Sequence, residues 1–194
     1  MNFSDFRIDY NRFPTKSSKF YIKEVRYMVK QADQYDIPII EEILLDAVNW
    51  MSRSGLQNLW NESNVKWSNL SKSYNINNFY IAYQNGLPIA CMALTNYDPI
   101  NWPNISKGDS MYLHKLAVKR IFAGKGFSTE LINYAKNLAH SNGMNTIRLN
   151  CNQHRYKLRA LYEKEGFLCM DEKTIYNYDI ALYVYYTNDA SPIL

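Results

Sequence analysis

The run Tyr112–Ser128, YLHKLAVKRIFAGKGFS, passes from an alternating apolar stretch through a glycine-spaced turn into the opening of an amphipathic helix. Leu113, Leu116, Ala117 and Val118 read as a buried strand, on which Tyr112, His114 and Leu116 alternate to one face. Gly124 and Gly126 leave the backbone bare in the turn, and Phe127, Leu131, Ile132, Ala135, Leu138 and Ala139 recur at helical spacing as an inward face. A helix that starts on such a turn brings unpaired amides and the positive end of its dipole to one place. A pyrophosphate can be held there by backbone N–H groups, with Lys125, Ser128 and Thr129 beside it.

Working outward, Asn142-Gly143 ends that helix, Thr146–Cys151 reads as a buried strand, and Tyr156–Lys164 as a helix stopped by Gly166. Strands over Phe167–Asp171 and Tyr176–Tyr186 follow. On the other side, Phe79–Gln84 and Pro88–Thr95 form a hairpin turned by Asn85-Gly86, and the Asn-, Pro- and Asp-rich segment 96–109 is an exposed loop. Glu24–Lys30 is expected as the first strand. Gln31–Met51 follows as a helix that tolerates Pro38 only in its opening turn or as a kink. A loop over Ser52–Asn64 leads to a short helix around Val65–Ser71. Residues 1–20 read as an N-terminal arm and 21–190 as a single domain.

HKLAV followed by AGKGFS, then IRLNC at 147–151 and LYEKEGF at 161–167, resembles the GNAT superfamily of acetyl-CoA-dependent N-acetyltransferases. The resemblance covers the second half of the chain, with its motifs in order. It implies an α/β fold of GNAT type, a central mixed twisted sheet flanked by helices. The implied co-substrate is acetyl-CoA, with its pyrophosphate on the amides of Ala123, Gly124, Lys125, Gly126, Phe127, Ser128 and Thr129. Gly126 matches the central glycine of the family's loop; Ala123 stands where Gln or Arg is usual, and Ser128 where Gly or Ala is usual. The strand edge at Leu116, Ala117 and Val118 is implied to pair with pantetheine amides, and an N–H at or near Val118 to bond the thioester oxygen. Asn150 replaces a common Asp and Arg155 replaces an Asn that contacts the cofactor; Asn152, Asn150 or Arg155 itself can serve in that contact.

Attack of an amine on a thioester needs a neutral amine, a polarised carbonyl and a proton for the departing thiolate. Tyr162 matches the tyrosine of the family's Tyr-x-x-x-Gly-Phe segment, which implies a general acid near the cofactor sulfur. LHKLAV is similar to the LHALAV-type strand of arylalkylamine N-acetyltransferases, which implies a proton-removing role for His114. The acceptor is then a small-molecule amine or a peptide or protein amine. For a cationic acceptor, Asp46, Glu62, Asp98 and Asp109 are equal candidates for a cleft carboxylate. The alternatives are a catalytically degenerate acyl-CoA-binding domain, for which Ala123 and Arg155 speak, and a P-loop or dinucleotide enzyme, against which the lack of GxxxxGK[ST] and GxGxxG speaks.

Composition fits one enzyme domain: 194 residues, 47% hydrophobic and 21% charged, with a mild net charge of +4 and no basic stripe for nucleic acid. Cys91, Cys151 and Cys169 are widely spaced and odd in number and are expected as reduced core residues, with Cys151 a packing thiol rather than a nucleophile. His140 and His154 lack partners at ligand spacing, so no metal is expected. No twenty-residue apolar run or signal-like start occurs, so a cytoplasmic protein without membrane partners is expected. The tyrosines of the last strands offer a surface for a homodimer.

Overall fold

A computed structural model describes residues 27–56 and 60–187. The N-terminal arm, the start of the Glu24–Lys30 strand and both limits of the expected domain lie outside the described residues. The elements follow the expected order: β1 (Tyr27–Gln31), α1 (Ile37–Arg53), α2 (Trp67–Leu70), β2 (Phe79–Gln84), β3 (Leu87–Thr95), β4 (Met111–Val118), α3 (Phe127–Ser141), β5 (Thr146–Asn152), α4 (Tyr156–Lys164), β6 (Leu168–Ile175) and β7 (Tyr178–Tyr186). The seven strands form one sheet ordered β1-β2-β3-β4-β5-β7-β6, antiparallel except for the β4–β5 pair.

Two cores cover opposite faces of this sheet. On one, Phe127, Leu131, Ile132, Ala135 and Ala139 of α3 and Tyr162 of α4 pack on Met92, Leu113, Leu149 and Tyr183. On the other, Ile40, Ile43, Leu44 and Val48 of α1 cover Phe79, Ile81, Cys91, Ala93 and Ala117, while Trp102 from the 96–109 loop closes over Tyr112, Leu182 and Val184. Each such aliphatic side chain, fully buried, contributes about 1.5–3 kcal/mol.

Several boundaries differ from expectation. β1 runs through Gln31, and a 3-10 turn at Gln34–Asp36 precedes α1. Asp33 causes this: its carboxylate accepts the Tyr35 amide at 2.9 Å, while Asp36 accepts the Asp33 amide at 2.9 Å. Pro38 sits in the first turn of α1, where its missing N–H costs nothing. The last hairpin turns at Tyr176-Asn177, both at positive φ (48° and 66°), so β7 starts at Tyr178 and β6 continues to Ile175. The Asn85-Gly86 turn uses the same conformation, at 51° and 80°. Cys169 is exposed on β6, an edge strand, instead of buried.

The alternation expected along β4 breaks at Lys115. Ala93 pairs with His114 and Cys91 with Ala117, so β4 carries one more residue than β3 across that interval, and Lys115 takes φ 52°. This is a β-bulge. Tyr112 and His114 therefore lie on the face of α1 and the 96–109 loop, whereas Leu116 packs against the α3 core.

Candidate active site

β4 and β5 are bonded only at Met111–Ile147 and Tyr112–Arg148. Beyond those rungs they part, and the β4 edge facing β5 is left open. Lys119 N–H donates to Ile89 O on the β3 side at 2.8 Å, and Val118 pairs with Ala90. Period-two alternation therefore turns the amides of Val118 and Leu116 to the open edge, and that of Ala117 to β3.

The turn after β4 ends beside this opening. Gly124 and Gly126 take φ 76° and 87°, and Gly126 is the N-cap of α3. The Ala123 amide is spent on Arg120 O at 3.1 Å, and the Glu130 amide on Gly126 O at 3.1 Å. Between them, the amides of Gly124, Lys125, Gly126, Phe127, Ser128 and Thr129 donate no hydrogen bond among the described residues. Six consecutive free donors at the N-terminus of a fifteen-residue helix suit a diphosphate. Of the side chains expected there, Lys125 lies over the Phe122 ring at 5.3 Å. The Thr129 hydroxyl is not available: it donates to Glu165 Oε1 at 2.7 Å, and Glu165 also meets Lys136 Nζ at 3.8 Å. Ala123, with its amide used, contributes no donor either.

His114 lies across the sheet from α3 and α4. Its ring stacks on Tyr112 (centroids 6.4 Å apart, planes at 16°) and meets Tyr74 edge-on at 5.7 Å. Burial pushes its pKa down to about 4, with Lys115 acting the same way and Asp98 opposing. The imidazole is thus neutral at physiological pH, with a free lone pair, but it is a weaker base than an unperturbed histidine. Of the four candidate carboxylates, only Asp98 is buried, at 7% exposure, and it accepts from the Asn101 amide at 3.2 Å and Asn101 Nδ2 at 2.8 Å. Asp46 is taken up by the Arg120 amide at 2.6 Å, and Glu62 and Asp109 are exposed.

Tyr162 stands on the opposite face, in T-shaped contact with Phe167 at 5.9 Å and tilted on Tyr183 at 5.9 Å. Burial, with Cys151 adding to it, raises its hydroxyl well above the usual tyrosine value, so it stays protonated. The hydroxyl makes no hydrogen bond among the described residues. The Cys151 thiol is pushed up to about 12, chiefly by burial, which suits packing and not nucleophilic attack. Arg155, at the N-cap of α4, reaches over to α1, where Nη1 lies 3.0 Å from Met51 Sδ. Asn150 is half-buried on β5, level with Leu182 of β7.

Two residues of this region escape the sequence reading, Tyr74 and Lys115, whereas Asp98 is one of four equal candidates that the sequence does not tell apart. Tyr74 comes from a segment without periodicity, and only the extra residue in β4 brings Lys115 into play. His140 is exposed, and His154 pairs with Asp179 at 3.3 Å. Among the described residues, no three His, Cys, Asp or Glu side chains could hold a metal together, and no helix is long and apolar enough to cross a membrane.

Residues 44–167 match the model of the acetyltransferase (GNAT) family. Over 145 residues the chain is 27% identical to the uncharacterised N-acetyltransferase YesJ of Bacillus subtilis (strain 168), covering 68% of this chain and 76% of that protein. Among solved structures, a GNAT-family acetyltransferase from Listeria monocytogenes 4b F2365 superposes with a TM-score of 0.64 at 21% identity, over 82% of this chain and 94% of that one. YncA from Salmonella typhimurium, solved with its cofactor acetyl-CoA, gives a TM-score of 0.60 at 15% identity, over 86% and 97%.

Proposed function

Because this chain belongs to the GNAT family of acetyltransferases, we propose that it moves an acetyl group from acetyl-CoA to a primary amine directly, within a ternary complex. The observation that carries this reading is the run of six free amides from Gly124 to Thr129, placed at the mouth of the parted β4–β5 edge. Acetyl-CoA supplies an activated acyl thioester. The chain supplies the rest.

The amides of Gly124–Thr129 hold the diphosphate, and the α3 dipole favours its charge. The open β4 edge at Leu116 and Val118 offers N–H donors to the pantetheine and to the carbonyl oxygen, where charge develops during attack. Asn150 and Arg155 stand at the β5 side of the same opening. Arg155 must leave Met51 to take part. Tyr162, protonated on one face, gives a proton to the departing thiolate. His114, neutral on the other, accepts the proton from the attacking nitrogen directly or through water. Its depressed basicity favours late proton removal, after the nitrogen has begun to bond and its own acidity has risen.

The test is thiol release from acetyl-CoA against a broad panel of amines, read beside calorimetric binding of coenzyme A. Thiol release with at least one amine is the expected result. Tight binding without release across the panel supports the non-catalytic alternative, and no binding at all overturns both.

A further inference from the structure

Lys115 is the one residue of β4 at positive φ, in a region where a side chain costs about 1–2 kcal/mol relative to extended backbone. A residue held there by a bulge beside the histidine of the site invites a functional account. Its ammonium lies over the Trp60 ring, 5.0 Å from the centroid, on the face that carries α1, α2 and His114. Among the described residues no carboxylate lies within 4 Å of it. Two other well-covered amines among the described residues are matched: Lys119 meets Glu42 at 2.8 Å, and Lys136 meets Glu165 at 3.8 Å. Asp98 is on hand near His114, but its oxygens are taken by the Asn101 amide and Nδ2. A covered cation without a counter-ion is costly, and an incoming anion relieves that cost.

We propose that Lys115 is the recognition cation for the acceptor: it receives the carboxylate of a small amino acid-like substrate whose amine nitrogen lies at His114. This rests on the transfer reading given above and names its substrate class. A lone ammonium is a compact point charge and suits a single carboxylate, whereas a phosphoryl group calls for the several donors present instead at Gly124–Thr129. Trp60 and Tyr74 supply apolar walls for the carbon skeleton between the two polar ends. Burial lowers the pKa of Lys115 to about 8, against the pull of Cys91, so the site is still mostly cationic at neutral pH and a bound carboxylate would drive it fully so.

Matched pairs of amines that differ by one carboxylate, such as 4-aminobutyrate against propylamine and glycine against methylamine, test this in two assays. In thiol release, the acid of each pair should have the higher kcat/KM, by about 10- to 100-fold and mainly through KM, as one charge-assisted hydrogen bond provides. Lys115→Met should erase that preference, and Lys115→Arg should keep part of it. Calorimetric titration of the coenzyme A-loaded protein with the same compounds reads recognition apart from transfer. Binding of acids without transfer of acetyl to any of them retracts the proposed reaction and keeps this inference. Equal binding of acid and amine, no binding of the acids at millimolar concentration, a preference retained in Lys115→Met, or a Lys115→Met variant whose defect is in coenzyme A affinity would each overturn it.

Discussion

Tyr112 and Arg148 form the last rung that joins β4 to β5, and past it this parallel pair comes apart. The residues on either side explain why. After Tyr112, β4 spends its extra residue on the bulge at Lys115, while β5 continues straight and pairs with β7 from Thr146 to Asn152. The gap is therefore a product of strand geometry and not of missing side chains. His114 and Tyr162 lie on opposite faces of the sheet that this gap interrupts.

Gly126→Ala tests the amide cradle. A Cβ there would meet nothing within 4 Å, so the penalty is conformational and not a clash: φ 87° is a region that alanine enters at a cost of about 1–2 kcal/mol. Relaxation toward ordinary helical φ would swing the Phe127 and Ser128 amides away from the proposed diphosphate position. A lowered melting temperature and an approximately tenfold weaker coenzyme A Kd by calorimetry are expected. An unchanged Kd would remove Gly126 from the cradle.

Thr129→Val separates amide from hydroxyl at the same helix turn. The hydroxyl is committed to Glu165 at 2.7 Å, linking α3 to the end of α4. Its loss should cost about 1–2 kcal/mol, or roughly 2–8 °C in melting temperature. Coenzyme A affinity should move by less than about threefold, because the amide remains. A large loss of affinity would return the side chain to the phosphate site.

The fold was legible because its signals are local. The Asn85-Gly86 turn, the apolar run of β4, the apolar stripe of α3 and the Gly166 stop each carry their own chemistry, and α4 falls at Tyr156–Lys164 as read. The Tyr176-Asn177 turn was not legible, since tyrosine favours strands and no glycine marks the positive φ. The site divides in the same way. Gly124 and Gly126 announce the cradle, whereas Thr129 is withdrawn by a partner 36 residues away, and Asp98 and Tyr74 reach His114 through tertiary packing alone. The Lys115 bulge is a property of the β3–β4 register, which no single strand encodes.

His114 carries a pH signature with a definite sign. Its folded pKa, near 4, lies below the unfolded value near 6.5, so the unfolded chain binds more protons between those limits. Stability from this residue is complete above pH 6.5 and is lost as the pH falls toward 4, by on the order of 3 kcal/mol. Melting curves at pH 7 and pH 4.5 should show a larger acid loss in the wild type than in His114→Gln. Equal losses would mean that the ring is not held neutral by its surroundings.

Tyr162→Phe isolates a proton donor. The hydroxyl bonds to nothing among the described residues, while the ring packs on Phe167 and Tyr183, so the variant keeps its packing and should melt within a few degrees of the wild type. Coenzyme A affinity should change little, since the proposed diphosphate site, Gly124–Thr129, lies at the start of α3 and not on α4. What disappears is the group proposed to protonate the leaving thiolate, and kcat should fall about 10²-fold, the ordinary worth of a positioned acid. The loss should shrink with an acyl donor whose thiol is more acidic, because such a leaving group needs less help. Equal kcat values for Tyr162→Phe and wild type, or a defect indifferent to the leaving group, would assign the residue to packing and leave the thiolate to be protonated by solvent entering through the β4–β5 opening.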